Sequence, residues 1–293
     1  MMRIWQSCLT DPFANLALEH WLFKTLTQPS LFLYVNAPAV VIGRAQNPWM
    51  EANLSFLQAE HIPLVRRQSG GGAVVHDTGN LNFSFISPKA RYDKNLHLDL
   101  VLKALQRLNL HAERNERHDL LVQNKKISGS AFRETRENCF HHGTLLIDAN
   151  LPLLRQALAV LPHRIQTHAV PSVRSPVMNL AELQPGLTVE TVKTALIEQF
   201  CEHYDLSGVS TMNLNIAALQ NPQAEEALQL YQSSEWIYGR TLPFQEEREL
   251  DGLPLTLVVE NAMIVDIQPR RPEWVHLLNQ AYDTAITQTQ LSV

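Results

Sequence analysis

Arg66-Arg67-Gln68-Ser69-Gly70-Gly71-Gly72-Ala73-Val74-Val75-His76-Asp77-Thr78-Gly79-Asn80 sets three consecutive glycines behind two arginines, with an apolar pair, a His-Asp and a Gly-Asn beyond them. Glycine loses more backbone freedom on ordering than any other residue, so a run of three between strand-like segments marks a place where the backbone must approach something closely. Amides exposed beside fixed guanidinium charge suit a phosphate or a carboxylate. The plain alternative is a flexible turn, and the residues on either side shift the balance away from it.

Working outward, Pro63 to Arg67 reads as a strand that ends at the glycines, and Asn80 to Ser87 as a second strand with one buried face. Upstream, Asp11-Pro12 predicts a helix start, a capping carboxylate followed by proline at the first helical position. Ser30 to Asn36 and Ala39 to Arg44 read as strands around Ala37-Pro38. Downstream, the stripe Leu98, Val101, Leu102, Leu105, Leu108 predicts an amphipathic helix over 95–109. Strands are expected at 119–123, 125–132 and 143–148, with a tight hairpin at Gln123-Asn124-Lys125, and helices at 151–160 and 188–204. Residues 162–176 hold three prolines and little periodicity, which predicts a long loop. Beyond a boundary near 233–239, segments at 248–250, 255–259 and 264–267 read as a small antiparallel meander, and 274–286 as a last helix. This order of elements gives an α/β (α+β) domain with a mixed, largely antiparallel sheet flanked by helices.

The 293 residues suffice for one large domain, or for a large and a small one, and 45% hydrophobic with 18% charged residues describes a soluble globular protein. A net charge of -5 argues against a nucleic-acid partner held by a general basic surface. Cys8, Cys139 and Cys201 are too far apart and too few for a disulfide framework or a thiolate metal site. No secretory leader and no 18-residue apolar run are legible, so a cytoplasmic protein without a membrane segment is expected. A P-loop, a dinucleotide-binding glycine fingerprint and a nucleophile elbow are all missing from the sequence.

Arg66 to Asn80, then Lys126-Ile127-Ser128-Gly129-Ser130-Ala131-Phe132-Arg133, then His141-His142-Gly143-Thr144-Leu145-Leu146, resemble three ordered blocks of the lipoate–protein ligases. Asp11 to Glu19 and Val41 to Trp49 look like two further segments of that family, and the likeness runs in order from about residue 8 to about residue 205. It implies a catalytic domain like those of biotin and lipoate ligases over 1–239, and a short accessory domain over 240–293. It also implies an activity: lipoate is activated by ATP with Mg²⁺ to lipoyl-AMP, then passed to a lysine of a lipoyl domain in a 2-oxo-acid dehydrogenase E2 subunit or of the glycine-cleavage H protein.

Such a reaction must hold two anions together, the acid and the α-phosphate, so fixed positive charge and amide donors are needed. Lys126 is the expected catalytic residue: its ammonium can bridge oxygens of two different groups, whereas Lys125 points the other way on a strand. The resemblance implies ATP contacts from Arg67, Gly72, Ala73, Val74, Val75, Asn80 and Lys126. It implies lipoate contacts from Ser69, Gly70, Gly71, Lys126 and His142. Asp119 is a secondary candidate, to orient Lys126 or organise nucleotide-bound Mg²⁺; Arg133 and Arg174 are two others. His76 and His142 have no third ligand at a recognised spacing, so no metal site is expected there.

Two rival readings remain. Related acyltransferases use a cysteine thioester without ATP, and Cys139 is the central cysteine here, although it does not stand where those enzymes carry theirs. The other rival is a non-catalytic homologue that binds lipoyl groups. The loop over 164–179 keeps Ser172-Val173-Arg174-Ser175 and Asn179-Leu180, yet it has His168-Ala169 where ligases often carry Lys-Gly, and Pro176 where a basic residue is common.

Overall fold

The computed structural model describes residues 2–160, 164–208, 210–250 and 252–282. In it the Asp11 carboxylate accepts the Ala14 N–H at 2.8 Å and starts α1 (Pro12–Thr25), as the Asp-Pro step predicts. Such a cap contributes about 1 kcal/mol. Side chains of the same class begin the other helices. Asn47 caps α2 (Pro48–Glu51), Asn53 caps α3 (Leu54–Ala59), Asp93 caps α4 (Lys94–Arg107) and Asn150 caps α5 (Leu151–Ala157). Thr188 caps α6 (Val189–His203) and Asn221 caps α7 (Pro222–Gln232).

Among the described residues the largest sheet has six strands. Their order is β10 (Ser130–Glu134), β11 (Asn138–Leu146), β6 (Asn80–Pro88), β2 (Ser30–Tyr34), β1 (Arg3–Ser7) and β13 (Thr211–Leu214). β10, β11, β6 and β2 run antiparallel in turn, while β1 is parallel to both β2 and β13, so the sheet is mixed. One face carries Ile4, Leu33, Phe83 and Phe85 against α4 and α6; the other carries Trp5, Phe32, Ile86 and Phe140 against α1 and α7. Helices on both faces explain why β2 and β6 are buried along nearly their whole length rather than at alternate positions.

Two small sheets flank this layer. One pairs β3 (Ala39–Ile42) with β4 (Leu64–Arg66) and β5 (Val74–His76); the other pairs β8 (Leu120–Val122) with β7 (Glu113–Arg114) and β9 (Lys125–Ser128). Gln123 and Asn124 hold φ of 51° and 60° between paired Val122 and Lys125, the two-residue turn expected from the sequence. The fourth sheet orders β12 (Ile165–Thr167), β14 (Phe244–Leu250), β15 (Leu253–Glu260) and β16 (Met263–Gln268). It packs over Trp274 and Tyr282 and also over Trp49 of α2, whose ring lies 5.5 Å from Phe244 and 4.8 Å from Tyr282.

The structure departs from the sequence expectations in several places. The strand expected over 125–132 is two strands in different sheets, divided at Gly129; periodicity alone does not register a change of sheet. The strand expected at 143–148 begins earlier, at Asn138, because Phe140, His141 and His142 continue the ladder with β6. The loop expected over 162–176 contains β12, which forms an edge of the C-terminal sheet, so that sheet is not built from C-terminal residues alone. Over 274–286 the described part is a 3-10 turn, Pro272–Leu277, followed by extended Leu278, and not a continuing helix; residues 283–286 lie outside the described residues.

Candidate active site

Arg66 ends β4 and Arg67 follows it; both are buried, at 0% and 5% exposure. Arg66 donates to the carbonyls of Gln46 at 2.7 Å, Ile237 at 2.8 Å and Arg44 at 3.0 Å, and to the Thr241 hydroxyl at 2.9 Å. Arg67 donates to the carbonyls of Gly70 at 2.6 Å, Gly72 at 2.8 Å and Val41 at 3.0 Å, and to Ser69 Oγ at 3.0 Å. Among the described residues neither guanidinium pairs with a carboxylate. Burial lowers both to about 10, which leaves them charged at neutral pH.

Arg67 thereby sets the direction of the glycine loop. In a trans peptide the C=O of one residue and the N–H of the next point opposite ways. With the Gly70 and Gly72 carbonyls drawn onto the guanidinium, the N–H groups of Gly71 and Ala73 face away from it. Glycine is required where this loop meets the β3 end: a Cβ at Gly43 would lie 2.2 Å from the Gly71 carbonyl oxygen, and Gly71 itself holds φ of +86°.

Gly71, Gly72, Ala73 and Val74 line a cavity of about 270 Å³ together with Arg67, Lys126, Asp119 and His142. Its apolar wall includes Leu16, Tyr34, Val41 and Ala131, and its polar wall includes His76, Asn82, Arg117, Ser130, Thr144 and Ser172. The β8–β9 hairpin supplies the cation. Lys126 Nζ lies 2.7 Å from Asp119 Oδ1, and Asp119 is steadied by Asn115 Nδ2 at 3.2 Å and Arg117 at 3.6 Å. Lys125 is exposed on the other side. The backbone of Lys126 also fastens the loop that follows α5, accepting from Met178 N at 3.1 Å and donating to the Pro176 carbonyl at 2.8 Å.

Glu19, His142 and Ser69 form a hydrogen-bonded chain, with His142 on the cavity wall and Ser69 behind it. Glu19 accepts His142 Nδ1–H at 3.0 Å, and Ser69 Oγ lies 2.7 Å from His142 Nε2. Glu19 therefore fixes the ring that faces the cavity. His76 accepts from Asn36 Nδ2 at 2.9 Å; burial, with the Arg67 charge behind it, pushes its pKa down to about 3, so it is a neutral wall residue.

The other sequence candidates sit as follows. Ser69, Gly70 and Val75 stand behind the lining. Asn80 is fully buried behind Asn82, donates to it at 3.1 Å and leaves its Oδ1 without a partner; Asn82 is the amide that reaches the cavity. Arg133 turns onto the Phe23 ring, 4.8 Å from its centroid, outside the cavity. Arg174 is exposed and donates to the Leu158 carbonyl at 3.4 Å. Cys139 is buried in β11, outside the lining, and burial pushes its thiol pKa up, which opposes thiolate formation. Among the described residues no three His, Cys, Asp or Glu side chains gather as a metal cluster.

Sequence reasoning did not find Glu51, Gln46 as a contact, or Tyr34. Glu51 ends α2, is buried, and accepts both the N–H and the hydroxyl of Ser172; burial raises its carboxyl pKa. Gln46 stood in a family-like segment, but nothing in its spacing says that it donates to Ser172 Oγ at 2.9 Å across the fold.

Comparisons with known proteins place this geometry. Residues 11–201 match the family model described as lipoyl protein ligase A/B catalytic domain. Lipoate-protein ligase A of Psychrobacter cryohalolentis is 41% identical over 256 residues, covering 85% of this chain and 75% of that protein. P. falciparum LipL1, solved in complex with lipoate, superposes with a TM-score of 0.75 at 27% identity, covering 91% of this chain and 84% of that one. A lipoate-protein ligase A bound with ATP gives a TM-score of 0.68 at 25% identity, covering 81% of this chain and 98% of that one. With the family model spanning the glycine loop, the lysine hairpin and the histidine block in one match, the chain belongs to the lipoyl protein ligase A/B catalytic-domain family.

Proposed function

We propose that this chain is an ATP-dependent lipoate–protein ligase. The observation that carries the reading is the convergence, on one cavity, of the Lys126 ammonium with a glycine loop whose amides Arg67 turns away from itself. The relatives named lipoate-protein ligase A, the lipoate complex of LipL1 and the ATP complex of a ligase A support the same assignment. In the first step a lipoate carboxylate oxygen attacks the α-phosphorus of ATP and pyrophosphate leaves. In the second the ε-amine of an acceptor lysine attacks the acyl carbonyl and AMP leaves, so no enzyme nucleophile is needed.

Lys126 bridges the carboxylate and the α-phosphate as they approach, offsetting their repulsion. Gly72, Ala73 and Val74 offer backbone to the nucleotide, with Val75 behind the lining, and the Arg67 charge behind them favours the anions. The apolar wall takes the acyl chain, with Gly71 and His142 alongside it. Asp119 holds Lys126 in place and is the one carboxylate among the described lining residues. A single carboxylate beside substrate phosphates suits Mg²⁺ that arrives with ATP rather than a resident ion. Asn82 is the amide available to a purine edge, with Asn80 one residue layer behind it, holding Asn82 through Nδ2. Residues 1–239 form the catalytic unit and 240–293 an accessory one, joined through β12 and Trp49.

The acceptors are lipoyl domains of 2-oxo-acid dehydrogenase E2 subunits and the glycine-cleavage H protein, in the cytoplasm. No helix among the described residues is long and apolar enough to cross a membrane. Incubating the protein with lipoate and an apo-lipoyl domain, with and without ATP, and reading intact mass tests the proposal. A lipoyl mass gain that requires ATP is expected. Gain from an acyl carrier donor without ATP would mean a transferase, and no gain in either case a binding protein.

A further inference from the structure

A buried chain of two amides decides which ring nitrogen of His76 carries the proton. Asn15 Nδ2 lies 3.0 Å from the Leu9 carbonyl, 3.3 Å from the Val35 carbonyl and 2.7 Å from the Asn36 side chain. Backbone carbonyls only accept, so the Asn15 group among them is its NH2, and the Asn36 atom it meets is the oxygen. The other end of the Asn36 amide is then its NH2, which lies 2.9 Å from His76 Nδ1. Nδ1 therefore accepts, and a neutral imidazole with one accepting nitrogen carries its proton on the other. Burial, with the Arg67 charge nearby, keeps the ring neutral. Asn15 and Asn36 are 0% and 1% exposed, so the direction of the chain is set by protein atoms alone.

His76 Nε2 has no partner among the described residues, and the ring lines the cavity. On β5 it shares a face with Val74, whose side chain packs with Leu16, Tyr34 and Val41 of the apolar wall. Two residues along a strand place it about 7 Å further from the glycine loop than Val74. The glycine loop and Lys126 take the carboxylate end of the acid, so His76 meets the chain towards its tail. We propose that Asn15 and Asn36 hold His76 as an Nε2–H donor to the sulfur-bearing end of the acyl group, and that this donor makes the cavity select lipoate over a plain eight-carbon acid. The inference rests on the ligase reading.

Octanoate has the same chain length as lipoate and no sulfur. Against its hydrocarbon tail the Nε2–H would be a buried donor without an acceptor, whereas a dithiolane sulfur is a weak acceptor that takes it. The other tautomer would set a nitrogen lone pair against the sulfur lone pairs and reverse the preference. A site that offers a hydrogen bond rejects the analogue that cannot complete it. Asn36 lies outside the cavity lining and acts only through His76, so it is a positioning residue.

The test uses the full chain and begins with wild type. The imidazole ¹⁵N signals of His76 are expected to show the proton on Nε2, and saturating lipoate, unlike octanoate, is expected to shift the Nε2 signal. A proton on Nδ1, or the same response to both acids, would overturn the inference. Pyrophosphate release with ATP and each acid then gives kcat/KM for wild type, His76→Phe and Asn36→Leu, with a melting curve for each. His76→Phe keeps a flat ring without the donor and should lower the lipoate-to-octanoate ratio on the order of tenfold, through KM. Asn36→Leu removes the bond to Nδ1, so the Nε2-protonated form should lose its dominance in the ring signals and the ratio should fall in the same direction. A merely structural role would slow both acids alike and leave the ratio unchanged; that result in the folded variants would overturn the inference and leave the ligase reading intact. Wild type that releases pyrophosphate with neither acid would overturn both.

Discussion

Replacing Lys126 with alanine removes the side-chain charge while leaving the backbone bonds to Pro176 and Met178 in place, so the hairpin and the loop are expected to stay where they are. Two unit charges about 4 Å apart interact by ~4 kcal/mol at an effective dielectric near 20 and by ~1 kcal/mol in water. The Lys126 side chain is 24% exposed and its partner Asp119 9%, so the site lies between these limits and nearer the first. A loss of about 2–4 kcal/mol, at roughly 1.4 kcal/mol per decade, is about 30- to 1,000-fold in rate. Asp119 adds to the loss, since without Lys126 its buried carboxylate confronts the incoming phosphates. Lys126→Ala with Asp119→Asn should therefore recover part of what Lys126→Ala loses. The assay is pyrophosphate release with lipoate and ATP, before any acceptor is added, with a melting curve for each variant. A folded Lys126→Ala protein that releases pyrophosphate within threefold of wild type would refute the role given to this ammonium.

Cys139→Ser is expected to leave ATP-dependent ligation within about threefold of wild type, because acyl transfer from an adenylate uses no enzyme thiol; loss of ligation together with an acyl-thioester adduct on wild type would restore the transferase reading. Acid should destabilise the fold well before carboxylates are fully protonated. Burial lowers His97 to about 4 and His76 to about 3, so below about 6.5 the unfolded chain binds protons that the fold refuses. Stability is then full above about pH 6.5 and falls towards pH 4 by up to ~1.4 kcal/mol per pH unit per histidine; a urea midpoint that does not move between pH 7 and 4.5 contradicts this. Arg66→Lys should lower the urea midpoint by an amount worth about 2–4 kcal/mol, since an ammonium cannot span the four groups that the guanidinium holds, and a shift under ~0.5 kcal/mol would mean that these bonds are not needed.

Where local chemistry decides structure, the sequence was legible. Asp11-Pro12 starts a helix, Gln123-Asn124 turns a hairpin, and the stripe from Leu98 to Leu105 buries one side of α4. The division at Gly129 was not legible, since both halves read as strand and the difference lies in which sheet each one joins. α7 escaped because its buried face is only Ala224, Ala227 and Tyr231 among polar residues, a pattern that becomes helical once α1 is there to cover it. In the site, Lys126 and the glycine loop could be found because each is a sequence-local signal. Arg133 and Arg174 could not be placed that way. Parity along a strand does not carry across a break, and a loop arginine's reach depends on where the loop lies, which here directs Arg174 to Leu158. Glu51 left no signal at all. It is one carboxylate at the end of a four-residue helix, and it matters only because Ser172 is folded onto it from far along the chain.

The two arginines explain why the loop holds its shape without a ligand and still favours one. An uncompensated buried charge costs several kcal/mol unless its hydrogen bonds are made. Arg66 and Arg67 meet that condition with carbonyls and hydroxyls, so the bonds are satisfied without a carboxylate in contact, and Glu19 acts on Arg67 only through space. Carbonyl acceptors screen little of a guanidinium's field, and a carboxylate in the same place would cancel it. Pairing Arg67 with an acid would make the empty protein more stable and the anion site weaker. Using loop carbonyls instead does two things at once: it turns the Gly71 and Ala73 amides away from the guanidinium, and it keeps one positive charge behind the loop for an anion to meet. His76 fits the same arrangement. As a further cation on the cavity wall it would compete with Arg67, and the Arg67 charge itself helps to keep the ring neutral, leaving Arg67, Arg117 and Lys126 as the cations that line the cavity.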